Sequence, residues 1–176
     1  MKTKEIIALA PMVQELAEDN AHLYLWTTNN FLPDALEVMQ AWGFRYVTMV
    51  TWIKNRMGLG QYFRGLTEHC LFGVRGKLPY KVIDGKRQQG KTGFFEKKRE
   101  HSRKPVQMRE MIEKVSYPPF IELFARERFD GWDAWGNEVC TTGKTNTADR
   151  SICASVNQTV QMNPAEDARK ASISRH

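Results

Sequence analysis

Apolar residues recur at helical spacing over residues 3–18, TKEIIALAPMVQELAE, and Pro11 divides the stretch into two short helices with Thr3 as the expected N-cap. AHLYLWTT (21–28) is nearly continuous in apolar residues, which predicts a buried parallel strand. In FLPDALEVMQAWG, Leu32, Ala35, Leu36, Val38, Met39 and Trp42 share a helical face, with Pro33 in the first turn and Gly43 as the stop. FRYVTMVTWIK (44–54) and TEHCLFGVRG (67–76) read as strands around a loop, 55–62, holding Gly58 and Gly60. From Leu78 to Arg103 the chain is polar and aperiodic, which predicts a long mobile loop. KPVQMREMIEKV is then a helix, FIELFAR a strand and GWDAWGNEV a short closing strand. Strands alternating with helices predict an α/β fold with a mostly parallel sheet over residues 1–140. The Thr-, Asn- and Ser-rich stretch 141–176 predicts a disordered tail.

Composition supports a folded domain rather than disorder: 41% of the 176 residues are apolar, including five Trp and nine Phe. The apolar runs are too short to span a bilayer, and MKTKEIIALA lacks a signal-peptide core, so a soluble intracellular protein is expected. Cys70, Cys140 and Cys153 form no CxxC pair, so no disulfide framework or metal site is expected. The net charge of +6 is concentrated: residues 75–104 carry eleven Lys or Arg against three acids, leaving that stretch at +8 and the remainder at −2. Such a block fits a polyanion contact, although charge alone also fits an ordinary solvated face.

Three blocks in fixed order carry the chemistry: GQYFRGLTEHCLFGVRGK (60–77), HSRKP (101–105) and IELFARERFDGWDAWGNEV (121–139). With LYLWTTN (23–29) and AWGFRYVTMVTWIK (41–54), they resemble the adenine-N6 methyltransferases related to the seventy-kilodalton subunit of messenger-RNA methyltransferase A, over residues 1–139. The resemblance implies a Rossmann-like fold that binds S-adenosylmethionine, truncated at its N-terminus, and a nucleic-acid substrate that is DNA more readily than RNA. It also implies the cytoplasm of a prokaryote or phage-infected cell, or a nucleus if the source is eukaryotic.

By the same resemblance, Lys104 in HSRKP lies near cofactor and base, with Pro105 opening the next helix and Ser102 as a candidate cap. Glu122, Leu123 and Arg126 stand at a strand end, where open α/β sheets hold ligands; Arg126 suits a carboxylate and Glu122 a ribose. Asn137 offers an amide to ribose hydroxyls, and Gly136 permits close backbone approach; an Asn beside Gly is equally an ordinary turn. Glu68 opens a strand facing the expected base site, while His69 reads better as a satisfied strand histidine than as a base. Tyr62, Arg64 and Trp52 are candidates for stacking or phosphate contact, with Lys97, Lys98 and Arg99 as the basic contact and Lys54 and Arg56 adding charge.

The family's catalytic tetrapeptide Asp-Pro-Pro-Trp is not found in the 176 residues. The lone Pro-Pro, in Tyr117-Pro118-Pro119-Phe120, carries a neutral phenol where a carboxylate is needed and reads as a rigid lead-in to a strand. Two expectations follow: a methyltransferase body whose catalytic segment lies upstream of Met1, or a non-catalytic nucleic-acid-binding partner that dimerises with an active relative.

Overall fold

The computed structural model describes residues 1–77, 81–98 and 103–140. They fall into two compact units that divide between Tyr117 and Pro118.

The first unit begins with two short helices, α1 (Thr3–Ile7) and α2 (Ala10–Leu16), separated close to Pro11, the residue that predicts the break. Thr3 is not the cap. Lys2 holds that position, and the Thr3 hydroxyl instead donates to the Asp34 carboxylate at 2.8 Å. Strand β1 (Ala21–Thr27) leads through a 3₁₀ turn into helix α3 (Leu32–Ala41), then β2 (Arg45–Ile53) and β3 (Thr67–Arg75).

The main sheet runs β1-β3-β2-β6, with β6 formed by Gly93–Phe95. β3 lies antiparallel to both β1 and β2, and β6 alone adds in parallel, beside β2. The predicted mostly parallel sheet is therefore corrected to a mixed one. The reason is the connection: β2 and β3 are joined by a helix-free loop, and a chain that reverses without a crossover pairs antiparallel. β1 and β2 are joined through α3 and run in the same direction, with β3 between them.

Alternation along β3 assigns its two faces. Leu71 and Gly73 meet the α3 side, where Met39, Val38, Trp42 and Leu9 are buried. Cys70, Phe72 and Val74 meet the α4 side; α4 (Val106–Val115) buries Met108 and Ile112, one turn apart on its inner stripe. On that side Ser116 Oγ sits 2.6 Å from His22 Nδ1 and 2.8 Å from the Tyr24 hydroxyl. Burial pushes the Tyr24 phenol up to about 12 and lowers the His22 pKa. Cys70 is buried as expected, its thiol raised to about 12 by burial.

The stretch predicted as a long mobile loop holds structure within its described residues. A two-residue hairpin pairs β4 (Val82–Ile83) with β5 (Lys86–Arg87) around Asp84-Gly85, both residues at positive φ as a tight hairpin requires. Tyr117 anchors it, its hydroxyl accepting from Val82 N at 2.9 Å, and Lys81 Nζ donates to the Glu113 carbonyl. That anchoring occupies the phenol of Tyr117-Pro118-Pro119-Phe120, in keeping with a structural lead-in. Further on, β6 docks on β2, where the Trp52 indole donates to the Glu96 carbonyl at 2.8 Å.

In the second unit, β7 (Phe120–Leu123) and β8 (Trp132–Trp135) form a parallel pair of their own, and the strand read over FIELFAR ends at Leu123. Phe120 stacks on Trp132, ring centroids 4.8 Å apart. The predicted closing strand stops at Trp135, and residues from Asn137 form a short helix, α5 (Asn137–Cys140). The expected tail, 141–176, lies outside the described residues.

Candidate functional site

The ends of β1 and β2 and the start of β3 bring a charged cluster over an aromatic floor. Glu68 stands opposite Trp52 across the β2–β3 pairing, and its two oxygens accept from Lys54 Nζ at 2.8 Å and Lys104 Nζ at 2.7 Å. Both ammonium groups also lie over indoles, Lys104 at 5.0 Å from the Trp26 ring and Lys54 at 5.5 Å from that of Trp52. Those two rings meet edge-to-face at 6.2 Å.

Burial pushes the Glu68 carboxyl up, but the hydrogen bonds and charges of Lys104 and Lys54 outweigh it and hold the group below its ordinary value. Glu68 is thus an anchoring anion at neutral pH and a poor general base. Lys54 and Glu68 are 11% and 16% exposed, whereas Lys104 is 38% exposed, so Lys104 is the member that reaches solvent and a ligand.

On the opposite face of β3, both ring nitrogens of His69 are engaged. Its Nε2–H donates to Asn29 Oδ1 at 3.0 Å, and its Nδ1 lies 3.1 Å from the Thr51 hydroxyl. Burial lowers its pKa against a smaller upward pull from Glu68. This is the satisfied strand histidine expected from sequence. Asn29 Oδ1 also accepts from Thr67 Oγ1 at 3.2 Å, which ties the end of LYLWTTN to the start of β3.

Lys104 is placed by the start of α4. Pro105 is the N-cap of that helix, and the capping groups come from Glu96, whose carboxylate oxygens accept from Val106 N at 3.1 Å and Gln107 N at 3.0 Å. The cap expected of Ser102 lies outside the described residues, as does Arg99. Lys97 and Lys98 are exposed on the segment after β6, and Lys98 N donates to Asn55 Oδ1 at 2.8 Å, beside the β2–β3 loop. Tyr62 and Arg64 lie on that loop, exposed.

The cofactor candidates other than Lys104 belong to the second unit. Glu122 and Leu123 lie within β7, opposite Ala134 and Trp135. Arg126 follows the strand, 3.6 Å from Glu138 through its Nε, and Asn137 opens α5. Gly136 explains why these residues gather: a Cβ there would stand 2.2 Å from the Ala125 carbonyl oxygen, so only glycine lets the two turns touch. The close approach foreseen at Gly136 is thus to the chain's own backbone, with Arg126 and Asn137 flanking it. A guanidinium, an amide and a carboxylate on adjoining turns suit the carboxylate and ribose ends of an amino-acid nucleoside.

Sequence reasoning undervalued Lys54 and missed Trp26 as a site residue. Cross-strand parity was the available signal, since a lysine two residues beyond Trp52 ends beside whatever stands opposite Trp52.

The MT-A70 family model matches residues 1–138. Type II methyltransferase M.MunI from a Mycoplasma species is 33% identical over 142 residues, covering 79% of this chain and 58% of that protein. N(6)-adenosine-methyltransferase MT-A70-like from Arabidopsis thaliana is 29% identical over 128 residues, covering 66% of this chain and 18% of the relative. The N(6)-adenosine-methyltransferase catalytic subunit METTL3 from Homo sapiens is 29% identical over 133 residues, covering 69% and 22%. The chain therefore spans 58% or less of the length of these relatives. With a match that takes in both compact units and every block carrying site residues, the chain belongs to the MT-A70 family.

Proposed function

We propose that this chain serves S-adenosylmethionine-dependent methylation of adenine N6 in a nucleic acid, DNA in preference to RNA. The observation that carries the reading is the Lys104–Glu68–Lys54 bridge: two family-motif residues distant in sequence meet at one sheet end, above Trp26 and Trp52. The preference for DNA leans on the higher identity to M.MunI, 33% against 29% for METTL3.

When bound, the cofactor supplies an electrophilic methyl group on a sulfonium, and catalysis is then largely alignment of the adenine amine with it. In this reading Arg126 takes the cofactor's carboxylate, Asn137 and Glu122 its ribose hydroxyls, and Leu123 packs beside them. Lys104 reaches the base or its phosphate while Glu68 holds the lysine in place. Lys97, Lys98 and Arg64 face the backbone of the substrate, a role the basic block supports.

Calorimetry with S-adenosylhomocysteine tests the cofactor half: Arg126→Ala and Asn137→Ala should each weaken binding by about 1–3 kcal/mol. Equal binding by wild type and both variants would sink the assignment. The target-orienting tetrapeptide is not in the sequence, so labelled methyl incorporation into adenine-containing DNA or RNA should be negligible for this chain alone. Robust turnover would move the catalytic role to the segment from Tyr117 to Phe120. The sequence's lack of that tetrapeptide also favours a second reading, a non-catalytic nucleic-acid-binding subunit paired with an active relative.

A further inference from the structure

The loop between β2 and β3 is built to hold apolar side chains in water. Lys54 N donates to the Leu66 carbonyl at 2.9 Å, closing its base, and Gly58 N to the Gly65 carbonyl at 2.7 Å, closing its neck. The Arg64 Nε–H braces the neck from the side, donating to the Gly58 carbonyl at 3.1 Å. Gly60 makes the tip: a Cβ there would stand 2.1 Å from the Phe63 carbonyl oxygen. This ordered tip presents Leu59, Tyr62 and Phe63 at 97%, 93% and 93% exposure. Single exposed apolar residues need no explanation, but three on one braced tip do.

The surroundings indicate the occupant. Lys54 is already paired with Glu68, but residues 55–66 add Arg56 and Arg64 and no acid, and the Lys98–Asn55 bond sets Lys97 and Lys98 beside the same loop. An apolar protein partner would have to pair or desolvate those cations, whereas a nucleic-acid strand offers phosphates to them and a π-face on every base to the rings. The loop also springs from Lys54 and ends just before Glu68, the charged cluster itself.

We infer that the loop is a base-stacking platform: Tyr62 and Phe63 stack on unpaired bases of a strand whose phosphates run along Arg56, Lys97 and Lys98. The platform acts on single-stranded nucleic acid or on a duplex opened around its target. It deepens the substrate side of the proposed function and rests on that reading.

Anisotropy titrations of the full chain with an adenine-containing single strand and its duplex, across a range of salt, test it. Tyr62→Ala combined with Phe63→Ala should weaken single-strand binding about tenfold or more for each base no longer stacked. It should leave the salt slope unchanged, because every phosphate-binding cation remains in place. Tyr62→Phe should retain wild-type affinity, and an unchanged urea midpoint would exclude unfolding as the cause. Unaltered single-strand affinity in the double variant overturns the inference. So does a variant that loses self-association while keeping its affinity, which would make the tip a protein contact. A wild type that binds neither oligonucleotide would instead remove the nucleic-acid reading on which the platform depends.

Discussion

Glu68 answers two cations with one carboxylate, and that imbalance gives the site its character. Buried carboxylates are costly unless paired, so the lysines keep Glu68 ionised and Glu68 keeps them oriented. Glu68→Gln keeps the shape and removes the charge, and it should cost about 1–3 kcal/mol at neutral pH. The sign with pH follows from the depressed folded-state pKa: the stabilisation is full above the ordinary carboxylate range and is lost as pH falls through the lower folded value. Urea unfolding of wild type and variant should therefore differ at pH 7 and converge as the pH drops below about 4. A constant gap would mean the charge is irrelevant. Glu68 and Lys104 were each legible from their motifs. Their pairing was not, because it depends on how α4 lies on β3, a packing outcome that local pattern does not encode.

Among the elements, α4 takes the cap of its first turn from a residue outside it. Its first amides are satisfied by Glu96, a residue held to the sheet through its own backbone by Ile53 and Trp52. Glu96→Ala should destabilise the chain by about 1 kcal/mol, with weaker protection at Val106 and Gln107 amides in hydrogen exchange. Unchanged exchange there would show another group capping the helix. Helices α1 to α4 and the three long strands were legible because each carries an apolar pattern of its own period, whereas α5 was read as the end of a strand. Strand direction was not: β1 is apolar on both faces in either orientation, and only the helix-free link between β2 and β3 reveals the reversal. The β4–β5 hairpin escaped notice because its strands are two residues long and show no alternation, although Asp84-Gly85 is a hairpin signal in itself.

Across the whole molecule, charge and fold share one segment. If the basic stretch tracks a phosphate backbone, affinity should fall steeply with salt. Replacing Lys97 and Lys98 by Gln should then flatten the log–log slope by roughly 0.9 for each phosphate left unneutralised on duplex, or about 0.7 on a single strand. An unchanged slope would return these lysines to ordinary solvated surface. The same segment also couples the sheet edge to α4. The Trp52 indole holds the Glu96 carbonyl across 44 residues, while the carboxylate of the same residue caps α4 at Val106 and Gln107. Loosening β6 from β2 should therefore fray the first turn of α4 as well, and Lys104, carried at that end, should lose its fixed distance to Glu68 with it.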